Sequence, residues 1–93
     1  MINFALCDDN IQLLTKLREM LEKILFKHDF DATVTFSSSN VDELLDFLDT
    51  HDVDVLFLDI DLGTEQNGIE IAKKIRKKNK AIYIIFVTGH FEY

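Results

Sequence analysis

The chain has 93 residues, of which 47% are hydrophobic and 29% are charged, and its net charge is −7. Such a composition is typical of one small globular domain and excludes a disordered chain. The acidic balance argues against direct nucleic-acid binding, which requires clustered lysine and arginine. The one basic cluster, residues 73–78, is interpreted as the solvated end of a helix.

Cysteine content and the N-terminal sequence predict where the protein works. The single cysteine, Cys7, excludes an intramolecular disulfide and lies in an apolar run, which favours a small buried side chain in a reducing compartment. The N-terminus lacks a signal-peptide pattern, and no run approaches the roughly 20 apolar residues of a membrane span. We therefore expect a cytoplasmic protein without membrane contact.

Strand-like and helix-like patterns alternate along the chain. Short apolar or β-branched runs predict strands, and apolar residues that recur every three or four positions predict the helices between them. The predicted elements, in chain order, are a strand at 2–7, a helix at 10–27, a strand at 32–36, a helix at 41–50, a strand at 53–58, a helix at 68–79 and a strand at 81–87.

Polar residues predict how the helices begin. Asp9 or Asn10 is available as the N-cap of the first helix, and Asn40 with Glu43 resembles a capping box at the second. The serine-rich segment before Asn40 is interpreted as a loop. Five phenylalanines are interpreted as core residues: Phe26, Phe30, Phe36, Phe47 and Phe86.

The element order predicts the fold class. Strands joined by crossovers of helical length form a parallel sheet with helices on both faces, so we expect an α/β, doubly wound domain that spans residues 1–93. In such sheets functional sites form outside the carboxyl ends of the strands. Side chains at those ends are therefore the candidates for function.

Acidic residues close two of the predicted strands. Asp8 and Asp9 follow the first strand, Asp59 follows the third, and Thr88 places a hydroxyl at the end of the fourth. Clustered carboxylates repel one another unless a cation neutralises them, and Mg²⁺ prefers such hard oxygen ligands. Asp59, at the end of a central strand, is the best candidate nucleophile for accepting a phosphoryl group.

Four motifs stand at the predicted strand ends and at the start of the third helix: Cys7-Asp8-Asp9-Asn10, Phe57-Leu58-Asp59-Ile60-Asp61-Leu62, Asn67-Gly68 and Ile85-Phe86-Val87-Thr88. Together they resemble a known family, the receiver domain of two-component response regulators, and the resemblance spans the whole chain. The residues within these motifs are most similar to those of receivers attached to LytTR DNA-binding domains, including the accessory gene regulator type.

The resemblance implies a flavodoxin-like (CheY-like) fold and a signalling role rather than an enzyme with turnover. Asp59 matches the phosphoacceptor, Asp8 and Asp9 the metal-binding pair, and Thr88 the hydroxyl that contacts the phosphoryl group. Asp61 would give Mg²⁺ its backbone carbonyl. The implied partners are a sensor histidine kinase and a DNA-binding output domain outside this chain.

The resemblance also implies parts that the sequence does not supply. Receivers have a fifth strand that ends in a lysine, followed by a fifth helix, and Lys80 cannot be that lysine because it precedes the fourth strand. We therefore expect about three quarters of a receiver, with strand order 2-1-3-4 and no catalytic lysine. The uncovered fourth strand predicts a dimer or a strand-exchanged oligomer.

Two alternatives stay open at the level of sequence. A haloacid-dehalogenase-like phosphohydrolase would use Asp59 and Asp61 as its Asp-x-Asp motif, but it would leave the Asp8-Asp9 pair unexplained. A receiver-like interaction domain that works without phosphorylation would keep the fold but lose the switch. Turnover of phosphate distinguishes the first alternative, and failure to bind Mg²⁺ favours the second.

Overall fold

The computed structural model describes residues 1–62 and 67–87, so Thr88 lies outside the described residues. Strands and helices alternate as the sequence predicts. The strands are β1 (Ile2–Cys7), β2 (Ala32–Ser38), β3 (Val55–Asp59) and β4 (Tyr83–Val87). The helices are α1 (Ile11–Lys27), α2 (Val41–Thr50) and α3 (Gly68–Lys78).

The four strands form one parallel sheet in the order β2-β1-β3-β4. This order confirms the predicted α/β, flavodoxin-like class. Because β1 and β3 are neighbours, with Cys7 opposite Leu58, the residues that follow each strand meet at the same edge of the sheet. The topology thus brings together acidic residues that are about 50 positions apart in the chain.

Hydrophobic side chains cover both faces of the sheet. On one face, α1 contributes Leu14 and Leu25 to a cluster with Leu6 of β1. On the other face, α2 and α3 contribute a larger cluster around Leu56 and Leu58 of β3. No helix within residues 1–62 and 67–87 combines the length and the hydrophobicity that a bilayer crossing requires.

The second strand is longer than the sequence predicts. Ser37 and Ser38 were expected in a loop, but they pair with Leu6 and Cys7 of β1. A register irregularity between Phe4 and Ala5 precedes this extension. Serine is not a strong strand former, so pairing with β1 outweighs its local preference.

The start of α2 also differs from a complete capping box. Asn40 caps the helix, and its side chain accepts the N–H of Glu43. The Glu43 carboxylate does not return to the N–H of Asn40, because that N–H donates to the hydroxyl of Ser38. Glu43 instead accepts a hydrogen bond from the same hydroxyl.

The prediction that five phenylalanines lie in the core is wrong for three of them. Phe26 is 89% exposed, and Phe30 and Phe86 are also exposed. Phe26 follows the buried Leu25 on α1. Successive residues of a helix are rotated by about 100° around its axis, so the Phe26 side chain is directed away from the sheet. Phe36 and Phe47 are partly buried and stack with ring centroids 4.5 Å apart.

Candidate functional site

Three carboxylates meet where β1 and β3 end. The side chains of Asp8, Asp9 and Asp59 each offer an oxygen, and these atoms all lie within 4.8 Å of one another. Asp8 and Asp59 are buried, whereas Asp9 is exposed. The structure therefore brings together the acidic residues that were predicted from the sequence as candidates, at the edge where the fold places functional groups.

Local hydrogen bonds fix the two buried carboxylates. Asp8 Oδ1 accepts the N–H of Asn10 at 2.9 Å, and Asp59 Oδ1 accepts the N–H of Asp61 at 3.2 Å. In both turns the acceptor and donor are two residues apart, which is typical of aspartate side chains at strand ends. Asp8 Oδ2 is buried and has no hydrogen-bond partner in the described part of the chain.

Burial makes these charges costly. Desolvation is the largest reason why the pKa of Asp59 is raised to about 6. The nearby charge of Asp8 contributes to this increase, and the hydrogen bond from Asp61 opposes it. Desolvation is also the largest reason why the pKa of Asp8 is raised. Native proteins rarely leave a buried carboxylate oxygen without a partner, so this arrangement is suited to a cation.

The donor set fits Mg²⁺. This ion prefers hard oxygen ligands, uses few carboxylates and retains several waters. Asp8 supplies a buried oxygen that has no partner among residues 1–62 and 67–87, and Asp9 supplies an exposed carboxylate beside it. Asp61 is adjacent, since its N–H holds Asp59, and the use of its carbonyl as a ligand stays a prediction.

Cys7 lies next to the acidic residues but does not add a nucleophile. Burial, together with the negative charges of Asp8 and Asp59, raises the pKa of its thiol to about 12. A thiol with such a pKa is protonated at neutral pH and unreactive. This agrees with the interpretation of Cys7 as a small buried hydrophobic residue.

Gly68 is a site residue whose importance the sequence reasoning missed. A Cβ atom at this position would lie 2.1 Å from the backbone oxygen of Asp59. The N–H of Gly68 also donates to the carbonyl of Ile60 at 2.7 Å. The first turn of α3 therefore rests directly on the end of β3. The Asn67-Gly68 pair was the available signal, but in the sequence it was interpreted only as a motif of the family resemblance, with no role in the site.

Ser38 is the second residue that was missed. Its backbone carbonyl accepts the N–H of Asp8 at 3.3 Å, so the end of β2 holds the first acidic residue. No sequence signal indicated this contact, because the serine-rich segment that contains Ser38 was expected to form a loop rather than to pair with β1. Thr88, the expected hydroxyl of the site, lies outside the described residues.

Comparison with protein families gives one match over nearly the whole chain. The sequence model of the response regulator receiver domain matches residues 4–93. This range includes both acidic motifs and the residues that follow β4.

This chain matches parts of two larger curated relatives. The sensory transduction protein LytR of Staphylococcus saprophyticus is 45% identical over 53 residues, which are 57% of this chain and 20% of the relative. Accessory gene regulator protein A of Staphylococcus aureus is 28% identical over 88 residues, which are 94% of this chain and 37% of the relative. The chain thus spans well under half the length of these relatives.

Solved structures share the fold. The MaeR response regulator bound to beryllium trifluoride is 26% identical with a TM-score of 0.78, and the match covers 99% of this chain and 70% of that one. RcsB of Salmonella enterica serovar Typhimurium, bound to promoter rprA in the presence of a phosphomimetic, is 23% identical with a TM-score of 0.81 over 99% of this chain and 72% of that one. At that identity, the likeness to RcsB shows the fold alone.

Proposed function

Because the chain belongs to the response regulator receiver domain family, we propose that it accepts a phosphoryl group on Asp59 from the phosphohistidine of a sensor histidine kinase. The observation that carries this proposal is the convergence of Asp8, Asp9 and Asp59 within 4.8 Å. A carboxylate oxygen of Asp59 would attack the phosphorus, and the phosphorus–nitrogen bond would break with its electrons returning to the imidazole.

Mg²⁺ is the cofactor in this proposal. The side chains of Asp8, Asp9 and Asp59 would hold it together with the backbone carbonyl of Asp61. When bound, the ion supplies positive charge that neutralises the phosphoryl oxygens. The N–H groups of Asn10 and Asp61 each hold one oxygen of a buried carboxylate, which leaves the second oxygen to bind or react. Thr88 is proposed to contact the phosphoryl group.

Phosphoryl transfer is tested by labelling the chain, together with any residues that follow it in its gene product. Acetyl phosphate or a kinase phosphohistidine should label Asp59 in the presence of Mg²⁺, and Asp59→Asn should abolish labelling. Asp61→Asn is the matched control, since only the backbone of Asp61 is proposed to act. Full labelling of Asp59→Asn would show the assignment to be wrong.

The same pair of variants separates the receiver from a phosphohydrolase. A haloacid-dehalogenase-like enzyme would need the Asp61 side chain and would release phosphate with turnover. A receiver should keep one phosphoryl group per chain and tolerate Asp61→Asn. The family match, which includes the Asp8-Asp9 motif, does not favour the phosphohydrolase.

Metal binding has its own test. Titration of Mg²⁺ against amide chemical shifts should perturb residues near Asp8 and Asp59 first, with weak affinity because the ion dehydrates reluctantly. No response at high millimolar Mg²⁺ would contradict the proposed centre and favour an interaction domain that works without phosphorylation.

The output that we propose is a DNA-binding transcription regulator domain of the LytTR type, carried by the same protein outside residues 1–93. Similarity to LytR and to accessory gene regulator protein A supports it. The net charge of −7 supports an output domain, rather than this receiver domain, as the part that contacts DNA. The proposed location is the cytoplasm, where the single cysteine stays reduced.

The outer edge of β4 is proposed to pair with a second copy of the chain. β4 ends the sheet in the described residues, and its sequence YIIFV contains neither proline nor charge. Tyr83 is 73% exposed, and Ile85 and Phe86 are also exposed. The opposite edge differs, because β2 carries a register irregularity and polar residues that discourage pairing.

Light scattering across a concentration series tests this self-association. We expect the 93-residue chain to form dimers or strand-exchanged species, and Ile85→Lys should shift it toward monomer. Thr35→Lys, on the opposite edge, is the matched control and should leave the equilibrium unchanged. A strictly monomeric chain whose β4 amides are protected from hydrogen exchange would contradict the proposal.

A further inference from the structure

Two charged side chains hold the end of β2 from opposite faces of the sheet. On one face, Arg18 of α1 donates to the hydroxyl of Ser37 at 2.7 Å. On the other, the hydroxyl of Ser38 donates to Glu43 of α2 at 2.6 Å. In both contacts a serine hydroxyl is hydrogen-bonded to a charged side chain. Only Ser38, however, also accepts the N–H of Asp8 with its backbone carbonyl.

The Ser38 hydroxyl is fixed at both of its hydrogen-bonding roles. It accepts the N–H of Asn40 at 3.0 Å and has one proton to donate, which the charged oxygen of Glu43 takes. The side chain of Ser38 is buried. Its position is therefore set by the start of α2 rather than by solvent.

The backbone of the same residue continues to the acidic site. The carbonyl of Ser38 accepts the N–H of Asp8 at 3.3 Å, and this contact is the last rung between β2 and the segment that follows β1. Asp8 carries the buried oxygen that has no partner among the described residues. A shift at Ser38 would move that oxygen relative to Asp59.

We propose that Ser38 and Glu43 form a positioning pair that sets the Asp8 carboxylate for Mg²⁺. The inference rests on the proposed function, because it concerns the affinity of that same centre. Neither residue binds the ion, and the pair acts through the N–H of Asp8. Residues that orient metal ligands commonly change metal affinity by about tenfold or more when they are replaced.

The test measures Mg²⁺ affinity of the 93-residue chain by amide chemical shifts. Ser38→Ala and Glu43→Ala should each weaken binding by about tenfold. Ser38→Thr retains the hydroxyl, and Glu43→Gln retains an acceptor oxygen, so both should bind within about threefold of the unaltered chain. The matched control is Ser37→Ala, which removes the neighbouring hydroxyl, also bonded to a charged partner, and should leave the affinity unchanged.

Urea unfolding of the same variants separates positioning from general destabilisation. Ser38→Ala should lose more stability than Ser37→Ala, because the Ser38 hydroxyl is buried and has two partners, but both variants should remain folded and only Ser38→Ala should lose affinity for Mg²⁺. Equal affinity of Ser38→Ala and the unaltered chain would overturn this inference alone. Equal loss of affinity in Ser37→Ala would also overturn it. No binding by the unaltered chain would overturn the proposed function and this inference together.

Discussion

The two ends of the sheet differ in how well their polar groups are hydrogen-bonded. At the carboxyl end, Asp8 and Asp59 are buried close together, and Asp8 Oδ2 has no partner within the described residues. At the amino end, Asp54 accepts the N–H of Asn3 at 2.7 Å, while its own N–H donates to the carbonyl of Asn3. One end is arranged at a cost in stability, and the other adds to stability.

The contrast extends to the helix termini. α3 begins at the acidic end, where Gly68 allows it to approach Asp59 closely. It ends at the opposite edge, where Arg76 donates to the backbone carbonyls of Lys80 and Ile82. Close backbone approach and uncompensated charge therefore occur together at the proposed site, as expected where function rather than stability determines the sequence.

The largest expected effect comes from Gly68→Ala, which tests how tightly the acidic end is built. The added Cβ would lie 2.1 Å from a backbone oxygen that cannot easily move. We expect a loss of about 3 kcal/mol in the free energy of unfolding, measured by urea denaturation, and a displaced Asp59 amide signal. Ile69→Ala, at the next and exposed position, should cost less than about 1 kcal/mol. Unchanged stability of Gly68→Ala would contradict the close approach of α3 to β3.

Arg76→Ala tests the opposite end, where polar groups are satisfied. Removing the guanidinium leaves the carbonyls of Lys80 and Ile82 without this donor. We expect a loss of about 2 kcal/mol in the free energy of unfolding, measured by chemical denaturation, because the partly buried carbonyl of Ile82 loses a charged donor. Lys77→Ala, an exposed neighbour on α3, is the control and should change stability little. If both variants unfold alike, Arg76 does not hold this end together.

The pH dependence of stability tests the cost of burying Asp59. Its pKa is raised from 3.8 to about 6, so between these values the folded chain holds a proton that the unfolded chain has released. Without divalent ions, the free energy of unfolding should therefore fall as pH rises through this range, by on the order of 2 kcal/mol. For Asp59→Asn, the free energy of unfolding should lack this part of its decrease with pH. Identical pH profiles of stability for Asp59→Asn and the unaltered chain would contradict the prediction.

The sequence predicted the carboxyl end of the sheet better than its surroundings. Aspartates that follow apolar runs are visible as a pattern, and the parallel topology then requires them to meet. The contribution of Ser38 was not predictable, because it depends on strand pairing with β1 that overrides the local preference of serine. The exposure of Phe26 was missed for a similar reason. Hydrophobicity alone does not tell which side of a helix faces the sheet when Leu25 and Phe26 are adjacent.

The smallest effect is expected from removal of the exposed ion pair at the amino end of the sheet. This variant tests whether burial is the cause of the difference between the two ends. Lys78 and Asp49 lie 3.4 Å apart, with side chains 77% and 54% exposed. Water and salt screen such a pair, so Asp49→Asn should change the free energy of unfolding by less than about 0.5 kcal/mol. The same chemical change at the buried Asp59 should instead stabilise the metal-free chain at neutral pH, because it removes a desolvated charge beside Asp8. Urea denaturation of both variants at low and high salt measures the difference. A cost above about 1 kcal/mol for Asp49→Asn would show that charge pairing, rather than burial, distinguishes the two ends.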